Sequence, residues 1–261
     1  MTSLELRIVR SMLRRPPSRH PYGPHPHQTC DLHRPSGAGP HPVAVVLHGG
    51  YWQAPYTKLI MRPLCVDLAH RGYAAWNVEY RRLGRDGGGW PQTFDDVAAA
   101  IDLLTEIDAV DLDRVTLVGH SAGGQLALWA AARTDLPAGA PGADPRVRGA
   151  RVLALAAVCN LPHAGRVAAM LLGGTPAEVP ERWAQADPMR RIPLRVPVGL
   201  VHGARDETVS IERSREYAAA AAAAGGAGGM VSLVETTGEH RDLIDPSTTD
   251  WKAAAGWLER A

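Results

Sequence analysis

Apolar positions along the chain fall into short β-type runs that alternate with longer stretches of helical spacing. Val43 to Leu47, Tyr73 to Tyr80, Arg114 to Val118, Arg151 to Val158, Val196 to His202 and Met230 to Glu235 predict buried strands. Leu59 to His70, Val97 to Ile107, Gln125 to Ala132, Ile211 to Ala224 and Thr248 to Leu258 predict the intervening helices. Thr93-Phe94-Asp95-Asp96 has the pattern of a capping box ahead of the second helix, and Gly225-Gly226 ends the alanine tract of the fourth. Upstream, Thr29 to His33 predicts an early strand that closes at Arg34-Pro35. Leu4 to Leu13 predicts a short amphipathic helix or strand, and the Pro- and His-rich residues Arg15 to His27 an ordered loop or extended arm. Such alternation predicts the α/β class, with a mainly parallel central sheet covered by helices on both faces. The irregular segment 160–192, with one helical piece from Gly165 to Leu172, is the natural place for a small cap or lid. The expected organisation is a single domain over residues 1–261, with 1–27 as an N-terminal arm.

Composition narrows the function classes. A net charge of +1 gives no electrostatic footprint for nucleic acid or a membrane surface. Lys58 and Lys252 are the only lysines, which reads as coding bias rather than a binding patch. Cys30, Cys65 and Cys159 are scattered and read as free thiols of a reducing compartment; Cys159, at the end of a predicted strand, is the one expected near a site. Arg7, Arg10, Arg14 and Arg15 precede no apolar segment of secretory type, and no run approaches the roughly 20 apolar residues that span a bilayer. A soluble cytoplasmic protein is therefore expected. His20, His25, His27 and His41 lack flanking acidic or cysteine ligands, and Gly87 to Gly89 lacks the Lys-Ser/Thr of a phosphate loop. No metal and no cofactor is predicted.

The candidate chemistry lies elsewhere. Gly119-His120-Ser121-Ala122-Gly123 reads G-x-S-x-G between a predicted strand and a predicted helix. That context lifts a serine hydroxyl out of the sheet and aims a helix N-terminus at whatever it attacks. A serine hydroxyl is a poor nucleophile at neutral pH, so it needs a base and an acid to orient that base. The loop after Val196 to Val201 supplies Asp206, with Glu207, Asp187 and Asp242 as competing carboxylates and a helix N-cap as its other role. The loop after Met230 to Glu235 supplies His240. Ser121, Asp206 and His240 follow the order expected for a nucleophile at the C-terminal edge of a parallel sheet. An oxyanion hole is expected from the backbone N–H groups of Ala122, Gly50 and Tyr51, where losing one donor typically costs about 10²–10³ in rate. Tyr51, Trp52 and Trp90 are candidate substrate contacts, with core packing as their alternative role; His48 and His120 are expected to support the site loops.

These residues carry a resemblance. His48-Gly49-Gly50-Tyr51-Trp52, Gly119 to Gly123, Asp206 and His240 resemble the α/β-hydrolase superfamily, in its esterase/lipase group with an H-G-G-x-W oxyanion loop. That loop resembles the one characteristic of kynurenine formamidase (arylformamidase) and related small carboxylesterases, and Asn77 to Arg82, Gly87 to Pro91 and Glu239-His240 running on to Ile244-Asp245-Pro246 also resemble bacterial members of this group. Many such proteins carry aspartate where this chain has Asn160, a difference that bears on the pocket wall. The resemblance implies two-step acyl transfer on a small-molecule acyl substrate, without nucleic acid or membrane partners, and leaves room for a homodimer. A carboxylesterase is the leading expectation. An arylformamidase acting on N-formyl-kynurenine is the second, and a non-catalytic binding protein on a hydrolase scaffold the remote third.

Overall fold

The computed structural model describes residues 3–12, 16–225 and 230–260, and within these the strands join into one eight-stranded sheet. The strands are β1 (Ser18–Pro21), β2 (Thr29–His33), β3 (His41–Leu47), β4 (Ala74–Val78), β5 (Val110–His120), β6 (Arg151–Leu155), β7 (Val198–Gly203) and β8 (Val231–Thr236). Their order across the sheet is β1-β2-β4-β3-β5-β6-β7-β8. β1 and β2 run antiparallel to their neighbours, and every pairing from β4 to β8 is parallel. The helices are α1 (Ser3–Met12), α2 (Arg62–His70), α3 (Gln92–Asp102), α4 (Ala122–Ala131), α5 (Gly165–Leu172), α6 (Pro180–Ala186), α7 (Glu212–Ala223) and α8 (Thr249–Glu259). This is the layout of the α/β-hydrolase fold expected from the sequence.

The period-two rule splits the core into two layers. Along β3, Val43, Val45 and Leu47 face one layer with Trp76, Phe94, Leu126 and Trp129. Ala44 and Val46 face the other, with Leu64 and Leu68 of α2 and Trp251 and Leu258 of α8. Helices α3 to α7 contribute to the first layer, and α1, α2 and α8 to the second. β3 and β5 sit side by side in parallel register, Leu47 opposite Gly119. The order reverses there, so the chain leaves β3 and β5 toward opposite sides and opens a crevice at their C-terminal ends. β6, β7 and β8 end at the same edge.

Some expectations change. Leu4 lies in a helix, one of the two forms expected of its segment, and the arm that follows is more than a loop: Ser18–Pro21 pairs as an edge strand. Leu13, Arg15 and Gly226 lie outside the described residues. Thr93 does not cap α3. The helix begins at Gln92 after Pro91, and the Thr93 hydroxyl instead donates to the Arg81 carbonyl at 2.6 Å while Asp96 pairs with Arg81. The segment 160–192 is folded onto the body, with Leu161, Leu171, Leu172 and Trp183 in the core, so only its first part is free to face a site. No helix among the described residues is long and apolar enough to cross a membrane.

Candidate active site

The turn after β5 holds Ser121 at φ 56° and ψ −119°, a left-handed conformation that costs on the order of 1–3 kcal/mol for a side-chain-bearing residue. Neighbouring strands impose it. Ser121 N–H donates to the Leu155 carbonyl at 2.9 Å, and Val158 N–H donates to the Ser121 carbonyl at 3.1 Å. The flanking glycines are steric necessities. A Cβ on Gly119 would lie 2.1 Å from the Gly123 carbonyl oxygen, and one on Gly123 would lie 2.1 Å from that of Leu47. α4 starts at Ala122, so its positive N-terminal end faces the serine.

Asp206 and His240 meet across the loops that follow β7 and β8. Nδ1–H of His240 donates to Asp206 Oδ2 at 2.6 Å. The Asp206 carboxylate is fully buried and takes three further donors: Thr208 N–H and Val209 N–H, each at 2.8 Å, and Nε2–H of His202 at 3.1 Å. Burial alone would raise this carboxyl's pKa; the bonds from His202, His240 and Val209 outweigh it and hold the group well below its usual range. Glu207 is exposed, Asp187 instead binds Leu161 N–H, and Asp242 binds Glu239 N–H, so Asp206 is the candidate carboxylate brought to His240. Asp206 is not the N-cap of α7, a position taken by Ile211.

His202 is a partner that sequence reasoning passed over. Its Nε2 faces two acceptors, Asp206 Oδ2 and the Val209 carbonyl at 2.8 Å, so that nitrogen carries a hydrogen. Nδ1 then accepts from the Ser214 hydroxyl at 2.7 Å. The signal available was a histidine ending a buried strand four residues before the acid. His120 supports the other side: its Nε2–H donates to the His240 carbonyl at 2.9 Å, and burial pushes its pKa down to about 3, with the nearby His240 adding to the effect. His120 is therefore neutral and holds the His240 backbone without competing for its proton.

The loop after β3 is bent back on itself. Gly50, Tyr51 and Trp52 have φ values of 114°, 55° and 54°. A Cβ on Gly50 would lie 2.2 Å from that of Tyr56. His48 anchors the loop, its Nε2 2.9 Å from Glu79 Oε1 and its ring stacked on Tyr80 at 4.3 Å between centroids. Burial opposes ionisation of Glu79, but His48 and Arg82 outweigh it and lower its pKa. Trp52 Nε1–H donates to Gln125 of α4 at 3.1 Å, tying the loop to the serine's helix. Among the described residues, no backbone hydrogen bond of a turn or loop uses the N–H of Gly50, Tyr51 or Ala122.

Ser121 lies between two lobes of a cleft. The first, about 400 Å³, is lined by Tyr51, Trp52 and Ala122, by the 158–167 stretch including Val158, Asn160 and His163, and by Thr208 to Ser210 and Arg213. The second, about 330 Å³, is lined by Gly50, Tyr51, Tyr56, His120 and His240 and is walled by Leu4 and Ile8 of α1. Ser121 and Tyr51 line both lobes, and His240 only the second. Trp90 corrects an expectation. It packs against Phe94 with centroids 4.9 Å apart, its N–H donates to the Leu171 carbonyl, and it lines neither lobe, because Gly87 to Gly89 turn it toward the core. Cys159 also lines neither lobe: it is buried, and burial pushes its thiol up to about 12 against the opposing Ser214 hydrogen bond. Among the described residues, no group of three or more His, Cys, Asp and Glu side chains is placed to hold a metal.

A family model described as BD-FAE matches residues 30–220. The chain is 28% identical over 219 residues to the esterase LipQ of Mycobacterium tuberculosis, covering 77% of this chain and 51% of LipQ. It is 27% identical over 155 residues to the uncharacterized peptidase YtmA of Bacillus subtilis, covering 57% of this chain and 58% of that one. The chain thus spans little more than half the length of these curated relatives. A thermophilic esterase of Thermogutta terrifontis, solved with bound propionate, superposes with a TM-score of 0.74 at 23% identity, covering 94% of this chain and 92% of that one. At that identity the likeness is one of fold.

Proposed function

The chain belongs to the BD-FAE family, and from that premise we propose that it is a serine carboxylesterase working by two-step acyl transfer. The observation that carries the reading is the 2.6 Å bond between His240 and the buried Asp206, beside a serine held on a strained turn in the same cleft. With Nδ1 of His240 committed to Asp206, Nε2 is left as the base that takes the Ser121 proton. Ser121 Oγ adds to the ester carbonyl, and the developing oxyanion rests on the N–H groups of Ala122, Gly50 and Tyr51. The tetrahedral intermediate collapses as His240 protonates the leaving alcohol. Water then attacks the acyl-enzyme by the same route, and the carboxylic acid leaves. Asp206 fixes the His240 tautomer and stabilises its charged form.

The same chemistry assigns the lobes. The leaving oxygen must reach His240, which lines only the second lobe, so the alcohol occupies that lobe under α1. The acyl group occupies the first. A first lobe of about 400 Å³ favours an ester of a substantial carboxylic acid over an aryl formamide, whose formyl hydrogen would leave most of that space without contacts. A kinetic panel tests this: p-nitrophenyl esters from acetate to hexanoate against N-formyl-kynurenine. The expected result is ester kcat/KM well above that of the formamide; the reverse order would replace this reading with an arylformamidase.

A further inference from the structure

The first lobe has a chemical bias that carboxylesterase activity does not require. Its wall combines apolar side chains, Trp52, Val158, Val167 and Val209, with the polar Asn160, His163 and Arg213. Among the described residues no carboxylate side chain lines it, whereas the second lobe carries both Glu5 and Arg241. Arg213 lies in the first turn of α7, where neither Ser121, His240 nor Asp206 bonds to it.

Arg213 is held but not saturated. Its Nη1 stands 3.0 Å from Glu216 Oε2, one turn along α7, and His163 Nε2 stands 3.9 Å from the same oxygen. Glu216 itself does not line the lobe, whereas Arg213 and His163 do. Arg213 Nη1 is buried without a hydrogen-bond partner of acceptable geometry among the described residues. A guanidinium offers five N–H donors in a planar fork, and a carboxylate matches two of them at once.

We propose that the first lobe takes an acyl chain ending in a carboxylate, so that the preferred substrates are monoesters of dicarboxylic acids, with Arg213 as the specificity-determining residue. The assignment rests on the proposed esterase mechanism, because that mechanism places the acyl group in this lobe. The apolar walls fit the methylene chain, and the Arg213 guanidinium, with His163 and Asn160 as further donors, receives the terminal carboxylate. Hydrolysis breaks the one ester bond. It adds water to give the free dicarboxylic acid and the alcohol, with no other reactant.

The test compares benzyl hydrogen glutarate and benzyl hydrogen adipate with the neutral benzyl valerate and benzyl hexanoate, read as kcat/KM by titration of released acid. The wild-type protein is expected to favour the charged esters by about tenfold or more, the scale of a charge-assisted hydrogen bond. Arg213→Gln should lower the ratio of charged to neutral rates at least tenfold, and Arg213→Lys should restore part of it. A wild-type preference for the neutral esters, or a ratio that Arg213→Gln leaves intact, overturns the assignment. If Arg213→Gln does not fold, the wild-type ratio and the Arg213→Lys ratio still decide. Failure of the esterase reading looks different: no ester of either kind is cleaved, and Ser121 takes no fluorophosphonate label.

Discussion

Asp206 and Arg213 lie seven residues apart, on the loop that follows β7 and on the helix it feeds. Asp206 has a fully buried carboxylate held by four donors from three separate stretches of chain. Arg213 keeps about a fifth of its side chain exposed and is gathered by one ion pair, to Glu216 one turn along α7. The difference matches the roles proposed for the two residues. A group that fixes an imidazole tautomer is useful only within a few tenths of an ångström, so the fold surrounds it with redundant bonds. A group that receives a substrate terminus gains from donors left unspent and from room to adjust. The same contrast divides the whole cleft. The loops after β3, β5, β7 and β8 are strained or multiply bonded and supply the reacting edge of both lobes, while the outer parts of the lobe walls come from α1, the 158–167 stretch and the start of α7.

The largest effect that tests this contrast is on the rigid side. Asp206→Asn keeps the shape but presents a donor or a weaker acceptor to His240, and should lower kcat by about 10⁴. Activity retained in that variant would move the acid role to Glu207 or elsewhere and dissolve the distinction between the two carboxylate environments.

His202 probes the next layer out. It touches no reacting atom, so it is a positioning residue acting through Asp206. His202→Phe, which keeps a ring but no N–H, should lower kcat by roughly tenfold while KM stays within about twofold, the pattern of a group that matters in the transition state. Removing its N–H leaves more of the Asp206 charge for His240, so the acid limb of the kcat/KM profile should move to higher pH. A loss confined to KM, or an unmoved acid limb, would reduce His202 to packing.

A last effect concerns stability rather than rate. Burial lowers the folded-state pKa of His33 to about 4 and of His120 to about 3 from an ordinary value of 6.5. In that window the unfolded chain binds more protons than the folded one, so stability is fully present above pH 6.5 and falls as pH drops toward 4 and 3. Urea unfolding at pH 7.5 and pH 5 should differ by roughly 2 kcal/mol per buried histidine. His120→Gln should shrink the difference; an unchanged difference would show that its ring is not buried neutral.

The rigid side was also the legible side. Ser121, Asp206 and His240 each follow a strand whose apolar run is readable from sequence, and chain order makes them candidates for nucleophile, acid and base, with Glu207, Asp187 and Asp242 as rival carboxylates until the fold brings Asp206 to His240. The walls were not readable that way. Leu4 and Ile8 reach the cleft because α1 packs across the layer that holds α2, a long-range contact with no local pattern. Trp90 looked like a pocket residue because large aromatics serve cores and sites alike, and only the turn at Gly87 to Gly89 decides between them. Thr93 fitted a capping pattern but was drawn to the Arg81 carbonyl, since Pro91 already starts the helix. His202 carries no motif, and its role appears only when β7 and the 206–209 loop are folded against each other.

The central claim is that Ser121 is the nucleophile made reactive by His240 and Asp206. Incubation with a fluorophosphonate followed by peptide mass mapping tests it directly. The account predicts one adduct, on Ser121, lost in Ser121→Ala and strongly slowed in His240→Ala. An adduct on another residue, or no adduct on folded protein, would contradict it.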